Sequence, residues 1–405
     1  MLDLLKNITL ENDNIPALAS LRQKGKAAFK GLPTLKDEPY KYTNIQSVIT
    51  PQMFSQKPHD CGHEHCTCHE TCLDFAAHEF HFCGGRLHEH FHFIEGLEIS
   101  SLKEALSTHE ATPYIGKFDI EAFPLAALNT ALLDEGLFIR ISKPLDKPLA
   151  LIYNNKEGVT ANIRNLIVLE KGAKAEMIEI FEGTSTPYLT NIVSEISIAK
   201  GASLLHCKLQ NEGQNAVHIA FSNVLVKSQG EYQSYLLSKG AKLSRCETRV
   251  LLKEENAKAT VNVAYCVNDE QTADITTNIA HLSPFTASNQ IIRGVMDDNA
   301  HGVFQGKIHI APDAQKTEGH QQHKALLLSS NARVDVKPEL EIFADDVKCS
   351  HGTTSGDLNA EELFYLKSRG IDEKEARKIL TTAFLNTAFE EIENQNIKAF
   401  LENAL

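Results

Sequence analysis

The chain has 405 residues, of which 42% are hydrophobic and 23% charged, so it is long and apolar enough to fold around a large core. A formal net charge of -13 argues against general binding to nucleic acid or to anionic membranes. No apolar run approaches the roughly 20 residues of a spanning helix, and the start Met1-Leu2-Asp3-Leu4-Leu5-Lys6 lacks the basic and apolar regions of a signal peptide, which points to the cytoplasm.

Residues 1–30 read as helical, with Leu18, Leu21 and Phe29 among the apolar positions, until Gly31-Leu32-Pro33 breaks the pattern. Further on, nine of the 18 histidines and five of the nine cysteines lie between His59 and His92. Cysteines of a cytoplasmic chain are thiols or metal ligands rather than disulfides. Within residues 59–72, Cys61, His63, His65, Cys66, Cys68, His69 and Cys72 offer more donors than one tetrahedral zinc site uses. Their spacing matches no standard finger. Gly62 and Thr67 leave the stretch flexible, so it would order on metal rather than present a finished site. Divalent-metal binding is the expected property of this insert. The bland alternative is a polar loop.

A polar stretch runs to Pro124. From Leu137 to His351 short strand-like runs dominate, such as Leu137-Phe138-Ile139-Arg140-Ile141, Leu166-Ile167-Val168-Leu169 and Val261-Asn262-Val263-Ala264-Tyr265. A two-residue corner punctuates them, a small turn-former followed by alanine. It occurs at Gly172-Ala173, Gly201-Ala202, Gly240-Ala241, Asn256-Ala257, Asn299-Ala300, Asp313-Ala314 and Asn331-Ala332. Gly, Asn and Asp tolerate the left-handed backbone of a tight corner. The irregular spacing suits a β-solenoid with corners of variable length. A large β-sandwich is the competing arrangement. From Leu358 the chain turns helical: Asn359 with Glu362, and Asp372 with Glu375, are capping signatures, and Gly370 separates two helices. The expected organisation is an N-terminal region over 1–124 holding the 59–72 insert, a β core over 125–357, and a helical domain over 358–405.

No nucleotide-binding or nucleophile-elbow motif is present. Gly302-Val303-Phe304-Gln305-Gly306-Lys307 is one residue short of a phosphate loop and lacks its Ser or Thr, so it reads as a glycine-containing turn. In Asp345-Asp346-Val347-Lys348-Cys349-Ser350-His351-Gly352, a continuing strand would put Val347, Cys349 and His351 on one face. Thiolate and imidazole are ligands for soft metals and iron–sulfur units. On spacing alone, a buried cysteine and a turn histidine are the better reading, because Cys-x-His is short and nonspecific. His320 and His323 in Glu318-Gly319-His320-Gln321-Gln322-His323 could add ligands, and otherwise read as polar turn residues. A carbohydrate-active enzyme would need paired acids in a cleft. The adjacent pairs Asp297-Asp298 and Asp345-Asp346, placed in strands, would face opposite ways.

The segment from Lys337 to Gly352, with Glu362-Leu363-Phe364-Tyr365-Leu366-Lys367-Ser368-Arg369-Gly370-Ile371, resembles the signature of the SufB/SufD family. Gly31 to Thr43 and Ala127-Leu128-Asn129-Thr130-Ala131 resemble elements of its SufD-type members, with Tyr40 where a tryptophan is usual. Together these stretches span most of the chain. The resemblance implies a right-handed parallel β-helix core flanked by helical domains. It implies a non-enzymatic scaffold of iron–sulfur cluster assembly, paired with a SufB-like subunit and bound to a SufC-like ATPase through its C-terminal helices. Leu363, Phe364, Tyr365, Arg369, Leu380 and Phe384 are the residues expected to meet that ATPase. A transient Fe–S cluster would be the cargo at the subunit interface, with His351, and Cys349 beside it, tied to building it. A SufB-type cysteine lies in a Thr-Gln-Cys-Asp context that corresponds here to Gln321-Gln322-His323-Lys324, so a histidine replaces it. The family does not usually carry the 59–72 insert. The stretch from Phe82 to Leu97 still resembles a family strand pair, which would put His78, His81, His88, His90 and His92 on an ordered hairpin, the last three on one face. The motifs are silent on a flavin and on whether the chain alone forms a homodimer. The rival reading is a metal-storage or metal-delivery protein acting through residues 59–92.

Overall fold

A computed structural model describes residues 15–54, 73–75, 77–88, 91 and 93–405. The expected ligands Cys61, His63, His65, Cys66, Cys68, His69 and Cys72, together with His90 and His92, lie outside the described residues. The β portion opens with a hairpin of β1 (His78–Cys83) and β2 (Arg86–Leu87), then β3 (Leu97–Ser101), β4 (Leu137–Ile141) and β5 (Leu149–Asn155). Strands of ten residues follow: β6 (Thr160–Leu169), β7 (Lys174–Gly183), β8 (Leu189–Ile198), β9 (Ser203–Glu212), β10 (Val217–Val226) and β11 (Glu231–Gly240). Next come β12 (Leu243–Leu252), β13 (Lys258–Val267), β14 (Thr272–His281), β15 (Ala287–Met296) and β16 (His301–Ile310). The last three are β17 (Thr317–Leu327), β18 (Arg333–Ile342) and β19 (Val347–Gly356). Before and among the first strands lie α1 (Pro16–Ala28), α2 (Ile45–Val48), α3 (Leu102–Ser107) and α4 (Pro124–Ala131). After the last come α5 (Ala360–Ser368), α6 (Glu373–Asn386) and α7 (Gln395–Asn403).

From β4 onward, successive strands alternate between two sheets, and each pairs in parallel with the strand two places on. That is a parallel β-solenoid of about eight turns, because a sandwich would pair neighbours antiparallel. The repeat is irregular for a simple reason. Val217 stands beside Leu243, an advance of 26 residues, whereas His301 stands beside Arg333, an advance of 32. The strands keep their length and the corners absorb the difference.

The corner alanines explain themselves here. Ala173, Ala202, Ala241, Ala257, Ala300, Ala314 and Ala332 are all buried, because each leads the chain back into a lumen with little room beside the stacked coil. The left-handed residue directly precedes the alanine at Gly172, Gly201, Gly240 and Asn256. At two others it is displaced: Asp298 precedes Asn299, and Lys316 follows Ala314, while the Asn331-Ala332 corner contains no left-handed residue. Gln229, Asp269 and Phe285 form further left-handed corners at residues other than glycine.

Three layers cover the coils. The lumen is apolar over much of its length, through side chains such as Ile163, Met177, Phe181, Tyr232, Val263 and Ile292. Outside the odd-numbered sheet, α6, α7 and the connection between them bury Leu385, Phe389, Ile392, Ile397 and Leu401 against Ile178, Cys207 and Leu237. Outside the even-numbered sheet lie α1, α3 and α4. Helices α1 and α4 cross so closely at Gly25 that a Cβ there would sit 2.3 Å from the Ala131 nitrogen. A strap over residues 32–54 completes this face. Tyr40 is buried with the Arg245 guanidinium 4.3 Å from its ring centre, and Thr43 Oγ1 donates to Asp274 at 2.6 Å. Farther along, Gln305 Nε2 donates to the Pro39 carbonyl at 3.0 Å, and Lys337 pairs with Glu38 at 2.6 Å.

This cover explains why β6 is buried along its whole length, as a strand packed on both faces must be. The cover thins over the last coil, which the strap touches through Glu38 and Lys337, and neither β18 nor β19 has a fully buried residue. Three sequence readings change accordingly. Gly302–Lys307 lies inside β16 rather than in a turn, because Gly302 and Gly306 leave lumen space for Tyr265 and Gln321. Glu318–His323 likewise lies inside β17. The aspartate pairs 297–298 and 345–346 sit at corners, not in strands.

Candidate functional site

The site is the open end of the solenoid. Strand β19 runs unbroken through Val347, Cys349 and His351, so the alternation read from the sequence holds and all three face the lumen side. Val347 and Cys349 pack toward Ile308, Ile310, Ala314 and Ala344. Cys349 is half-buried beside Gly319, where an added Cβ would lie 3.5 Å from its sulfur and 3.7 Å from His281 Nε2. Burial pushes the Cys349 thiol up, and a backbone bond from Gly319 offsets this only in part, so at neutral pH it stands as a thiol. His351 is exposed, next in register to Gln321 of β17.

The outward residues of the same strands are tied down differently. Lys348 pairs with Glu318 at 3.0 Å, and the Ser350 hydroxyl lies 2.8 Å from His320 Nδ1. His320 therefore sits on the opposite face from Cys349 and His351. His323 is on the lumen side but fully buried: its ring stacks on Phe304 with centres 5.1 Å apart, and its Nε2 lies 2.9 Å from the Tyr265 hydroxyl. Burial brings its imidazole down to about 4, so it is neutral. His323, expected from the resemblance to replace a SufB-type cysteine, is thus a core residue.

Among the described residues no group of three or more His, Cys, Asp and Glu side chains is arranged to hold a metal ion. The N-terminal histidines are dispersed. His78 and His81 lie on β1, where His78 reaches Asp146 at 3.4 Å and His81 reaches Glu79 at 3.3 Å, and His88 follows β2.

The C-terminal helices divide in two. The end of α6 is fastened to the coils: Arg293 Nε donates to Thr387 Oγ1 at 2.8 Å, its guanidinium lies 5.8 Å from the Phe384 ring, and Asn262 Nδ2 donates to the Ala388 carbonyl at 3.2 Å. Phe384 is therefore engaged with the solenoid, and Leu380 is half-buried. Helix α5, capped by Asn359, has no buried residue. Phe364 is 74% exposed and Tyr365 56%, Arg369 reaches over the Tyr365 ring at 5.1 Å, and Leu363 is half-buried.

Sequence reasoning missed the polar lumen. Glu179 pairs with His206 at 2.8 Å, Glu212 with His218 at 2.7 Å, and Lys208 donates to Ser222 at 2.8 Å. A cavity of about 20 Å³ lies among Lys208, His218, Ser222, Ser234, Cys246 and Thr248. Nearer the open end come Gln290, Gln321 and His281. The available signal was period-two alternation over Thr317–Ala325, whose odd members are buried.

Comparison with known proteins fits this architecture. A family described as "SUF system FeS cluster assembly, SufBD core domain" matches residues 151–384, and one described as "SufBD protein N-terminal region" matches residues 5–151. The chain is 29% identical over 385 residues to the iron-sulfur cluster assembly protein SufD of Escherichia coli, covering 91% of this chain and 87% of that one. It is 34% identical over 279 residues to an iron-sulfur cluster assembly SufBD family protein of Synechocystis, covering 65% and 62%. It is 31% identical over 310 residues to the chloroplastic protein ABCI7 of Arabidopsis thaliana, covering 72% and 64%. The matched stretch thus spans less than two thirds of the last two relatives.

Proposed function

Because the chain belongs to the SufBD family of SUF-system iron–sulfur cluster assembly proteins and is SufD-like, we propose that it is a cytosolic scaffold subunit with no turnover of its own. It pairs through its open end with a SufB-like subunit and docks a SufC-like ATPase on its C-terminal helices. The observation that carries this reading is the placement of Cys349 and His351 on one face of β19, the exposed edge strand that ends its sheet among the described residues. Two soft donors are too few for an iron–sulfur unit, which usually takes about four protein ligands. A partner surface would supply the rest, and the nascent cluster is the cargo held between them. The bare apolar face of α5 supports an ATPase contact at Leu363, Phe364, Tyr365 and Arg369. Nucleotide-driven closure of two ATPases would then pull on the helices and distort the cluster interface. No helix among the described residues is long and apolar enough to cross a membrane.

The test is His351→Ala in the reconstituted three-component complex. Cluster assembly is expected to be lost while the complex stays intact. A wild-type rate in that variant removes His351 from the reaction.

The density of donors in residues 59–72 favours a second reading, metal storage or delivery through residues 59–92. Deleting 59–72 separates the two. Unchanged cluster assembly makes the insert accessory, and total loss with partner binding intact favours delivery.

A further inference from the structure

Just below His351, lumen side chains carry polar atoms without a hydrogen-bond partner among the described residues: Nε2 of Gln290, both amide atoms of Gln321 and Nδ1 of His323. All three residues are buried, Gln321 to 3% exposure. Buried polar groups are nearly always satisfied, and an orphan costs stability. Two such glutamines in one column with His351 call for a reason: Gln290 stands beside Gln321, and Gln321 beside His351, all on the lumen side. Room has been kept for the second amide. It lies over Gly306, where an added Cβ would come within 2.2 Å of its Nε2. Gln290 is held from behind, its Oε1 accepting from Thr277 Oγ1 at 2.7 Å.

The His351 ring also makes no hydrogen bond among the described residues. A histidine that ligates through one ring nitrogen needs a partner for the other, because that second bond sets the tautomer and the ring plane. We propose that Gln321 is the positioning residue of His351: with a nascent cluster at the open end, Gln321 Oε1 accepts the N–H of the ring nitrogen turned into the lumen. This leaves the other nitrogen free for the cargo. A neutral amide suits the task, since it fixes the ring without placing a charge in the lumen. The inference rests on the reading that His351 holds the cluster, and the experiment separates the two.

Gln321→Met keeps the length and removes the hydrogen bond, and Gln321→Glu keeps the acceptor. Both are assayed beside His351→Ala in the reconstituted complex with the SufB-like and SufC-like partners. Gln321→Met is expected to melt at or above the wild-type temperature, because an orphan amide is gone, yet to assemble cluster about tenfold more slowly. Gln321→Glu is expected to recover to within about threefold. Pulsed EPR of the reduced cluster should show an altered histidine-nitrogen coupling in Gln321→Met. A wild-type rate and coupling in that variant would overturn the role of Gln321 while leaving His351 in place. So would a fall in rate that merely tracks a fall in melting temperature, or a Gln321→Glu as slow as Gln321→Met. A wild-type rate in His351→Ala would overturn the reading underneath.

Discussion

His281 and His323 are the lumen imidazoles nearest the open end, and burial brings both down to about 4 from an ordinary value near 6.5, with His309 and Arg293 adding repulsion. Between those values the folded chain keeps them neutral while the unfolded chain protonates them. The unfolded state then binds more protons, so stability falls as pH drops from 6.5 toward 4, by on the order of 3 kcal/mol for each. Thermal melts at pH 7 and pH 4.5 check this, and an unchanged melting temperature would contradict it. His218 runs the other way. Burial opposes its charge, but the Glu212 carboxylate at 2.7 Å and Cys246 outweigh that and raise it to about 10. Its contribution is complete below pH 6.5 and lost as pH rises through about 10. Glu212→Gln should therefore flatten the alkaline arm of the stability profile, as read by denaturant titration between pH 7 and 10.

At the scale of elements, the C-terminal helices differ in burial: α6 and α7 pack on the coils and α5 does not. Phe389 is fully buried between the end of α6 and the coils, so Phe389→Ala should cost about 3–5 kcal/mol, measured by urea unfolding. Phe364→Ala removes a side chain exposed on α5 and should shift stability by less than about 0.5 kcal/mol while weakening capture of the SufC-like ATPase in a pull-down. The sequence made much of this legible, because caps, corners and strand alternation are local chemistry: Asn359 and Asp372 cap their helices as read, and β19 carries Cys349 and His351 on one side. It hid what depends on the opposite wall. Gly302 and Gly306 resemble turn residues locally, yet they exist to admit Tyr265 and Gln321 from the other sheet. The Gln290–Gln321–His351 column is equally invisible, since its members are joined by coil stacking and not by sequence spacing.

On the scale of the whole molecule, the cover among the described residues is thinnest over the last coil. There Ile342 is 40% exposed and Phe343 62%, beside the half-buried Val334, Val336 and Leu340. An uncovered apolar strand end invites pairing or aggregation. Ile342→Asp should leave the far-ultraviolet circular dichroism unchanged and abolish co-purification with the SufB-like subunit. Retained co-purification would place the partner elsewhere. The net charge of -13 opposes non-specific self-association through that end by like-charge repulsion.

The strap has a bearing on how the molecule comes into being on the ribosome. Tyr40 and Thr43 need Arg245 and Asp274, Pro39 needs Gln305, and Glu38 needs Lys337, a loop of 299 residues. At roughly 5–20 residues per second, the N-terminal segment is synthesised tens of seconds before its seat exists. Tyr40, Ile45, Ile49 and Met53 must wait through that interval without the coils that bury them, so the first cover to be made is among the last to be seated.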